Sequence, residues 1–289
     1  MQGFNKIGFI GTGVMGKSMA MRLLKEGYDL HIFTRTKEKA TDLMETGASW
    51  HDTIPAVAAN SDVIITMVGY PSDVEEVYLG EHGLLNYINP QTLVIDMTTS
   101  SPDLASRIAE KAKSKQAAAI DAPVSGGDIG ARNGTLSIMA GGEEEAFHKA
   151  EPLFEIMGSQ AVLQGPAGAG QYTKMCNQIA IASTMIGVTE ALVYAEKAGL
   201  DPDKVLKSIS GGAAGSWSLS NLTPRVIKRD FSPGFFVKHF IKDMKIAIES
   251  AEKLGLDLPG LQLAKDMYER IAEDGENESG TQALYKYYQ

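Results

Sequence analysis

Lys174 is the residue best placed to do chemistry in this chain. It lies in Gly168-Ala169-Gly170-Gln171-Tyr172-Thr173-Lys174-Met175-Cys176-Asn177-Gln178, which opens a long apolar helical pattern. Asn177 and Gln178 follow at i+3 and i+4 and share its helical face. Burial disfavours an ammonium charge, so a lysine here calls for a task. The alternative, a snorkelling lysine at a helix N-terminus, runs against the helix dipole. A positioned lysine can give a proton to a forming alkoxide or, as the neutral amine, accept one. Cys176 lies off this face and reads as plain core.

A second signal stands at the other end of the chain. The apolar run Lys6–Ile10 leads into Gly11-Thr12-Gly13-Val14-Met15-Gly16, and Met15, Met19 and Leu23 continue it at helical spacing. A G-x-G-x-x-G between strand and helix allows a tight turn, close backbone approach to a pyrophosphate and tight helix packing. The free N–H groups and dipole of the helix then face the phosphates. An NAD site usually has an acid at the end of the second strand. Here that end reads His31-Ile32-Phe33-Thr34-Arg35-Thr36-Lys37. A guanidinium and a hydroxyl suit a 2′-phosphate, so Arg35 and Thr36 favour NADP(H) over NAD(H). The alternative is a solvated strand end.

Two further loops fall where strand ends meet ligands. Asp96-Met97-Thr98-Thr99-Ser100 offers hydroxyls; Ser100 or Ser101 is expected to cap the helix beginning at Pro102, leaving Thr99 for a ligand. Asp121-Ala122-Pro123-Val124-Ser125-Gly126-Gly127 sets paired glycines after a hydroxyl, a pattern for a carboxylate-holding nest or, equally, a plain turn. No metal is expected, because His31, His51, His82, His148 and His239 form no ligand-spaced pair. Ser125 has no histidine placed to make a hydrolase triad.

The elements that must position these residues follow from hydrophobic patterning. Strand-like runs at Lys6–Ile10, Asp29–Thr34, Val63–Val68, Thr92–Asp96, Ala117–Asp121, Leu136–Ala140 and Ala161–Leu163 alternate with helical patterns. That alternation builds a doubly wound, mostly parallel α/β sheet, a Rossmann domain expected over residues 1–164. Past the glycine-rich Gln164–Gly170 stretch only helical patterns remain, so residues 165–289 are expected to form an all-α domain built on a long helix. Within it, Ile179–Ala195 is apolar but carries Ser183, Thr184, Thr189, Glu190 and Tyr194, which favours a buried or subunit-interface helix over a membrane span. The net charge of −9, from 27 basic and 36 acidic residues, argues against nucleic acid and anionic membranes. A single cysteine excludes an intramolecular disulfide and, with the lack of a leader pattern over Met1–Ile10, points to the cytoplasm.

Four blocks in order carry a resemblance: Gly8–Gly16, Asp121–Gly127, Gly170-xxx-Lys174-xx-Asn177, and Phe240-Ile241-Lys242-Asp243. The sequence resembles the β-hydroxyacid dehydrogenase family over nearly its whole length. The resemblance implies an NAD(P)-dependent oxidoreductase that interconverts a short hydroxyacid and its semialdehyde or oxoacid. It implies Lys174 as catalytic acid/base, Ser125, Gly126 and Gly127 as the carboxylate loop, and Thr99 and Lys242 beside the cofactor. Many relatives carry Asn-Asn at Asn177-Gln178, so the helper of Lys174 stays open between the two. Trp217 reads as a wall of the substrate pocket or as a helix-packing aromatic. Lys238, Lys242 and Lys245 form a helical stripe whose plain reading is a solvated face. The long helix favours a homodimer or homotetramer. The rivals are a redox-silent NADP-binding module and an imine-reductase or 6-phosphogluconate-type relative.

Overall fold

The computed structural model describes residues 4–289. The chain divides into two compact units, one ending at Lys174 and one running Met175–Gln289. In the first, β1 (Lys6–Ile10), α1 (Val14–Lys25), β2 (Asp29–Phe33), α2 (Thr41–Glu45), β3 (Ser49–Trp50), α3 (Ile54–Ala59) and β4 (Val63–Thr66) come in succession. Then follow α4 (Pro71–Leu79), β5 (Leu93–Asp96), α5 (Pro102–Ser114), β6 (Ala118–Asp121), β7 (Val124–Ser125) and α6 (Gly127–Asn133). The sheet is completed by β8 (Leu136–Gly142), α7 (Glu144–Met157) and β9 (Gly158–Leu163).

Strand order is β3-β2-β1-β4-β5-β6-β8-β7, with β9 paired to β8. From β3 to β6 all neighbours are parallel; β8 lies antiparallel to β6 and β7. The winding reverses between β1 and β4, which makes the carboxyl ends of those strands the natural ligand crevice. Side chains along each strand alternate between two packed faces. Ile7, Phe9, Ile32, Ile65 and Ile95 pack with Met19, Leu23, Phe147 and Phe154. Ile10, Ile64 and Val94 pack with Val57, Val74, Tyr78, Leu104 and Ile108 on the other side. This double burial is why β4 and β5 read as unbroken apolar runs.

Some short elements escape the sequence pattern. β3 and β7 have 2 residues each, too few to alternate. The 7 residues of α6 lie between Gly126 and Gly134 and resemble a loop in composition. The Lys37–Thr46 pattern is a 3₁₀ turn at Lys37–Ala40 followed by α2. The stretch from Gly165 to Lys174, grouped by sequence with the helical half, belongs to the first unit. Two hydrogen bonds tie it there: the Asp121 carboxylate accepts N–H groups from Gly168 and Gln171.

The second unit is helical. It comprises α8 (Ala169–Lys197, which starts in the first unit), α9 (Pro202–Ile209), α10 (Trp217–Asn221), α11 (Thr223–Ile227), α12 (Val237–Lys253) and α13 (Pro259–Glu273). The single helical pattern expected at Trp217–Lys228 divides at Leu222, where Pro224 starts a new helix. Its core joins Met175, Ala182, Met185 and Val188 of α8 to Phe240, Met244, Leu261, Met267 and Tyr268. α8 is long and apolar enough by composition to cross a membrane, yet these side chains give its apolar character a protein partner. Gly199 and Gly255 take the left-handed φ of +74° and +72° that ends α8 and α12.

Candidate active site

The loop after β1 is shaped for an anion. A Cβ on Gly16 would overlap the Gly11 carbonyl oxygen, so α1 meets the loop only because Gly16 is glycine. A Cβ on Gly13 would meet nothing within 4 Å, which leaves that backbone open to a ligand. No side chain caps α1, and its first turn holds no acid, so its amides remain available. Thr12 Oγ1 is buried without a hydrogen-bond partner. Val14 is exposed and Met15 partly buried. Open backbone, uncapped amides and an orphaned hydroxyl together fit a dinucleotide pyrophosphate.

Beyond β2, Arg35 is 82% exposed at its side chain, and Nη1 lies 3.1 Å from Asp73 Oδ1. The acid missing from the β2 end thus arrives from α4, where Asp73 also accepts the Tyr70 N–H at 3.1 Å. Thr36 is exposed at the head of the following 3₁₀ turn.

The loop after β5 is held on every side. Asp96 Oδ1 accepts the Thr66 hydroxyl at 2.8 Å and the Thr98 N–H at 3.1 Å. Thr98 Oγ1 accepts the Val68 N–H at 3.0 Å. Gln171 Oε1 accepts the Ser100 N–H, and its Nε2 donates to the Thr98 carbonyl, both at 2.8 Å. Ser101, not Ser100, caps α5 by accepting the Leu104 N–H. Ser100 Oγ is left buried without a partner. Thr99, partly exposed, sits between these two anchor points.

One carboxylate organises the lysine. Asp121 Oδ1 accepts the Gly168 N–H at 2.7 Å and Oδ2 the Gln171 N–H at 2.8 Å. It caps α8 from a distant strand and offsets the dipole end that Lys174 would otherwise face. Lys174 is 6% exposed, which discards the snorkelling alternative. Its Nζ donates to the Val124 carbonyl at 2.8 Å, next to Ser125. Gly126 and Gly127 follow with φ of +127° and +63°. Burial pushes both Asp96 and Asp121 up to about 6, with hydrogen bonds from Thr66 and Thr98, or from Gly168 and Gln171, pulling the other way. Neither acid, nor Gln171, was marked as functional in sequence. The repeated Ile-Asp at the ends of β5 and β6 was the available signal.

Within the second unit, Asn177 Nδ2 donates to Gln178 Oε1 and Gln178 Nε2 donates to Asp243 Oδ2, each at 2.7 Å. Asp243 Oδ1 lies 2.8 Å from Lys242 Nζ. Lys242 therefore differs from its stripe: its side chain is 12% exposed, against 33% for Lys238 and 53% for Lys245. Trp217 is 64% exposed, so it is not a helix-packing aromatic within this chain. Cys176 is exposed rather than core, because Lys174, Met175 and Gln178 take the buried face. His31 and His51, distant in sequence, meet with Nδ1 and Nε2 2.9 Å apart, brought together by the β2–β3 pairing.

Comparison with known proteins decides what this arrangement belongs to. Residues 6–165 match the NAD binding domain of 6-phosphogluconate dehydrogenase, and residues 168–288 match the NAD-binding region of NADP-dependent 3-hydroxyisobutyrate dehydrogenase. The chain is 40% identical to 2-hydroxy-3-oxopropionate reductase of Escherichia coli K12 across 96% of this chain and 95% of that one. The chain belongs to the β-hydroxyacid dehydrogenase family. An uncharacterized oxidoreductase of Bacillus subtilis, YkwC, is 61% identical over 97% of both chains. The solved structure of Mycobacterium tuberculosis 3-hydroxyisobutyrate dehydrogenase with L-serine superposes with a TM-score of 0.91, at 31% identity and 99% coverage of each chain. As a β-hydroxyacid dehydrogenase the protein is an NAD(P)-dependent oxidoreductase, and the redox-silent reading is not favoured. An imine reductase from Pseudomonas, at 18% identity and a TM-score of 0.64, shares the fold alone.

The buried acids set a pH signature. Their folded values of about 6 exceed the ordinary 3.8, so the folded state holds more protons across that interval. Their contribution to stability is present below pH ~4 and is lost as pH rises through about 6. Urea unfolding at several pH values should show a shallower decline for Asp96→Asn than for wild type. Parallel curves would rule out the shift.

Proposed function

We propose that this dehydrogenase reduces a short semialdehyde or oxoacid bearing a carboxylate, as a 3-hydroxyisobutyrate-type enzyme, with Lys174 as the acid/base. One observation carries the reading: the Lys174 ammonium is held on Val124 O, at the entrance to Ser125-Gly126-Gly127. When bound, the nicotinamide supplies the hydride. Ser125 and the backbone N–H groups of Gly126 and Gly127 hold the substrate carboxylate. Lys174 polarises the carbonyl and gives its proton to the oxygen as negative charge develops there; in the oxidation direction the neutral amine takes the hydroxyl proton. Asn177 or Gln178 orients the lysine, Trp217 walls the pocket, and Thr99 and Lys242 approach the cofactor, as the family resemblance implies. Gly11, Thr12, Gly13, Val14, Met15 and Gly16 bind the pyrophosphate.

NADP(H) is the preferred cofactor in this proposal, supported by the exposed Arg35 guanidinium and the Thr36 hydroxyl at the β2 end. The proposed enzyme is a cytoplasmic homodimer or homotetramer with no nucleic-acid or membrane partner. Exposed Tyr194, Leu200, Leu254 and Leu256 support self-association, and the lone Cys176 suits a reducing compartment.

Reduction of methylmalonate semialdehyde, tartronate semialdehyde, succinic semialdehyde and glyoxylate, each with NADPH and NADH, identifies the substrate class. Against the best of them, Lys174→Ala should lower kcat about 10²–10⁴-fold with NADPH affinity unchanged in fluorescence titration; near wild-type turnover would dismiss Lys174. Arg35→Ala should raise the KM for NADPH about tenfold or more, the worth of a lost charge-assisted contact, and leave NADH within about twofold. Equal losses with both cofactors would reverse the NADP assignment.

A further inference from the structure

We propose that Gln171 is a positioning residue that bolts the Thr98–Ser100 loop to the helical turn carrying Lys174. The inference rests on Lys174 being the acid/base.

Gln171 is 0% exposed, yet all three of its polar groups used here are matched. Its Oε1 accepts the Ser100 N–H and its Nε2 donates to the Thr98 carbonyl, both at 2.8 Å, across 71 and 73 residues of sequence. Its own N–H goes to Asp121. The two side-chain bonds straddle Thr99, so they fix the segment on either side of the residue that the family resemblance places beside the cofactor. Lys174 follows one helical turn later, with Nζ on Val124 O. A neutral amide accepts through one atom and donates through the other at every pH. No carboxylate or ammonium matches both a backbone N–H and a backbone carbonyl in that way. The pairing thus sets the spacing between the Thr99 loop and the proton donor, and a misplacement of about 1 Å can cost about 10²-fold in rate.

A merely structural brace and a positioning bolt differ in pH response. In Gln171→Glu the protonated carboxyl reproduces the amide, its O–H donating to Thr98 O and its carbonyl accepting from Ser100 N–H. Once ionised it turns an acceptor on the Thr98 carbonyl and breaks one side of the bolt. The titratable groups facing this residue are Asp121 against its N–H, Asp96 behind Thr98, and Lys174 one turn on. All three are present in wild type, so the ratio of variant to wild-type kcat at each pH reports the new carboxyl.

The test is steady-state reduction of succinic semialdehyde with NADPH from acid to alkaline pH, with NADPH titrations and thermal melts at each point. The expected result for Gln171→Glu is a kcat ratio near one at the acid end that falls by about tenfold or more as pH rises, with NADPH affinity held. Gln171→Met, which keeps the shape without the bonds, should lose about tenfold in kcat at all pH values while remaining folded. A flat Gln171→Glu ratio, or a folded Gln171→Met enzyme with wild-type kcat, overturns the bolt. Lys174→Ala in the same assay separates the two levels. An inactive Lys174→Ala beside an unimpaired Gln171→Met defeats the bolt alone; an active Lys174→Ala defeats the acid/base reading beneath it.

Discussion

The arrangement of this site depends on a carboxylate at the end of one strand meeting the start of one helix. Asp121 ends β6 with both oxygens turned to the first amides of α8. Burying that charge is costly, and the helix amides and dipole are what make it tolerable. Three residues later the same segment offers Val124 O to the Lys174 ammonium. One short stretch of chain therefore holds both the helix that carries the lysine and the lysine head itself. The sheet, with Asp121 in register beside Asp96, is the rigid frame from which this is done.

Much of the fold was legible because its physics is local. β4 and β5 are buried on both faces and show it as continuous apolar runs. α1 announces itself by Met15, Met19 and Leu23 and by the glycines before it. What stayed hidden was short or cooperative. β7 pairs for two residues only, and α6 takes its helical form between glycines that read as a loop. The contacts that tie the start of α8 to the sheet stayed hidden, because the Asp121 carboxylate accepts N–H groups from residues 47 and 50 positions away, which no window of sequence contains.

The site was legible where a residue type is expensive in its setting. Lys174 in an apolar helix and Gly16 at the strand–helix turn each had few structural excuses. Gln171 had many, since a glutamine in a first helical turn is ordinary, and only its two distant partners mark it out. Ser100 and Ser101 were interchangeable as caps until the backbone chose Ser101. Cys176 misled because it lies off the Lys174 face, which reads as the core side until the structure shows that Lys174 and Gln178 themselves take the buried face and the helix turns the thiol outward.

The closeness of Gly16 to Gly11 has a thermodynamic consequence. With helix and turn in van der Waals contact, the amides that greet an incoming phosphate are already aimed before any ligand arrives. Recognition there is docking into a fixed mould, so the entropy lost on association falls on the ligand's own torsions rather than on the protein loop.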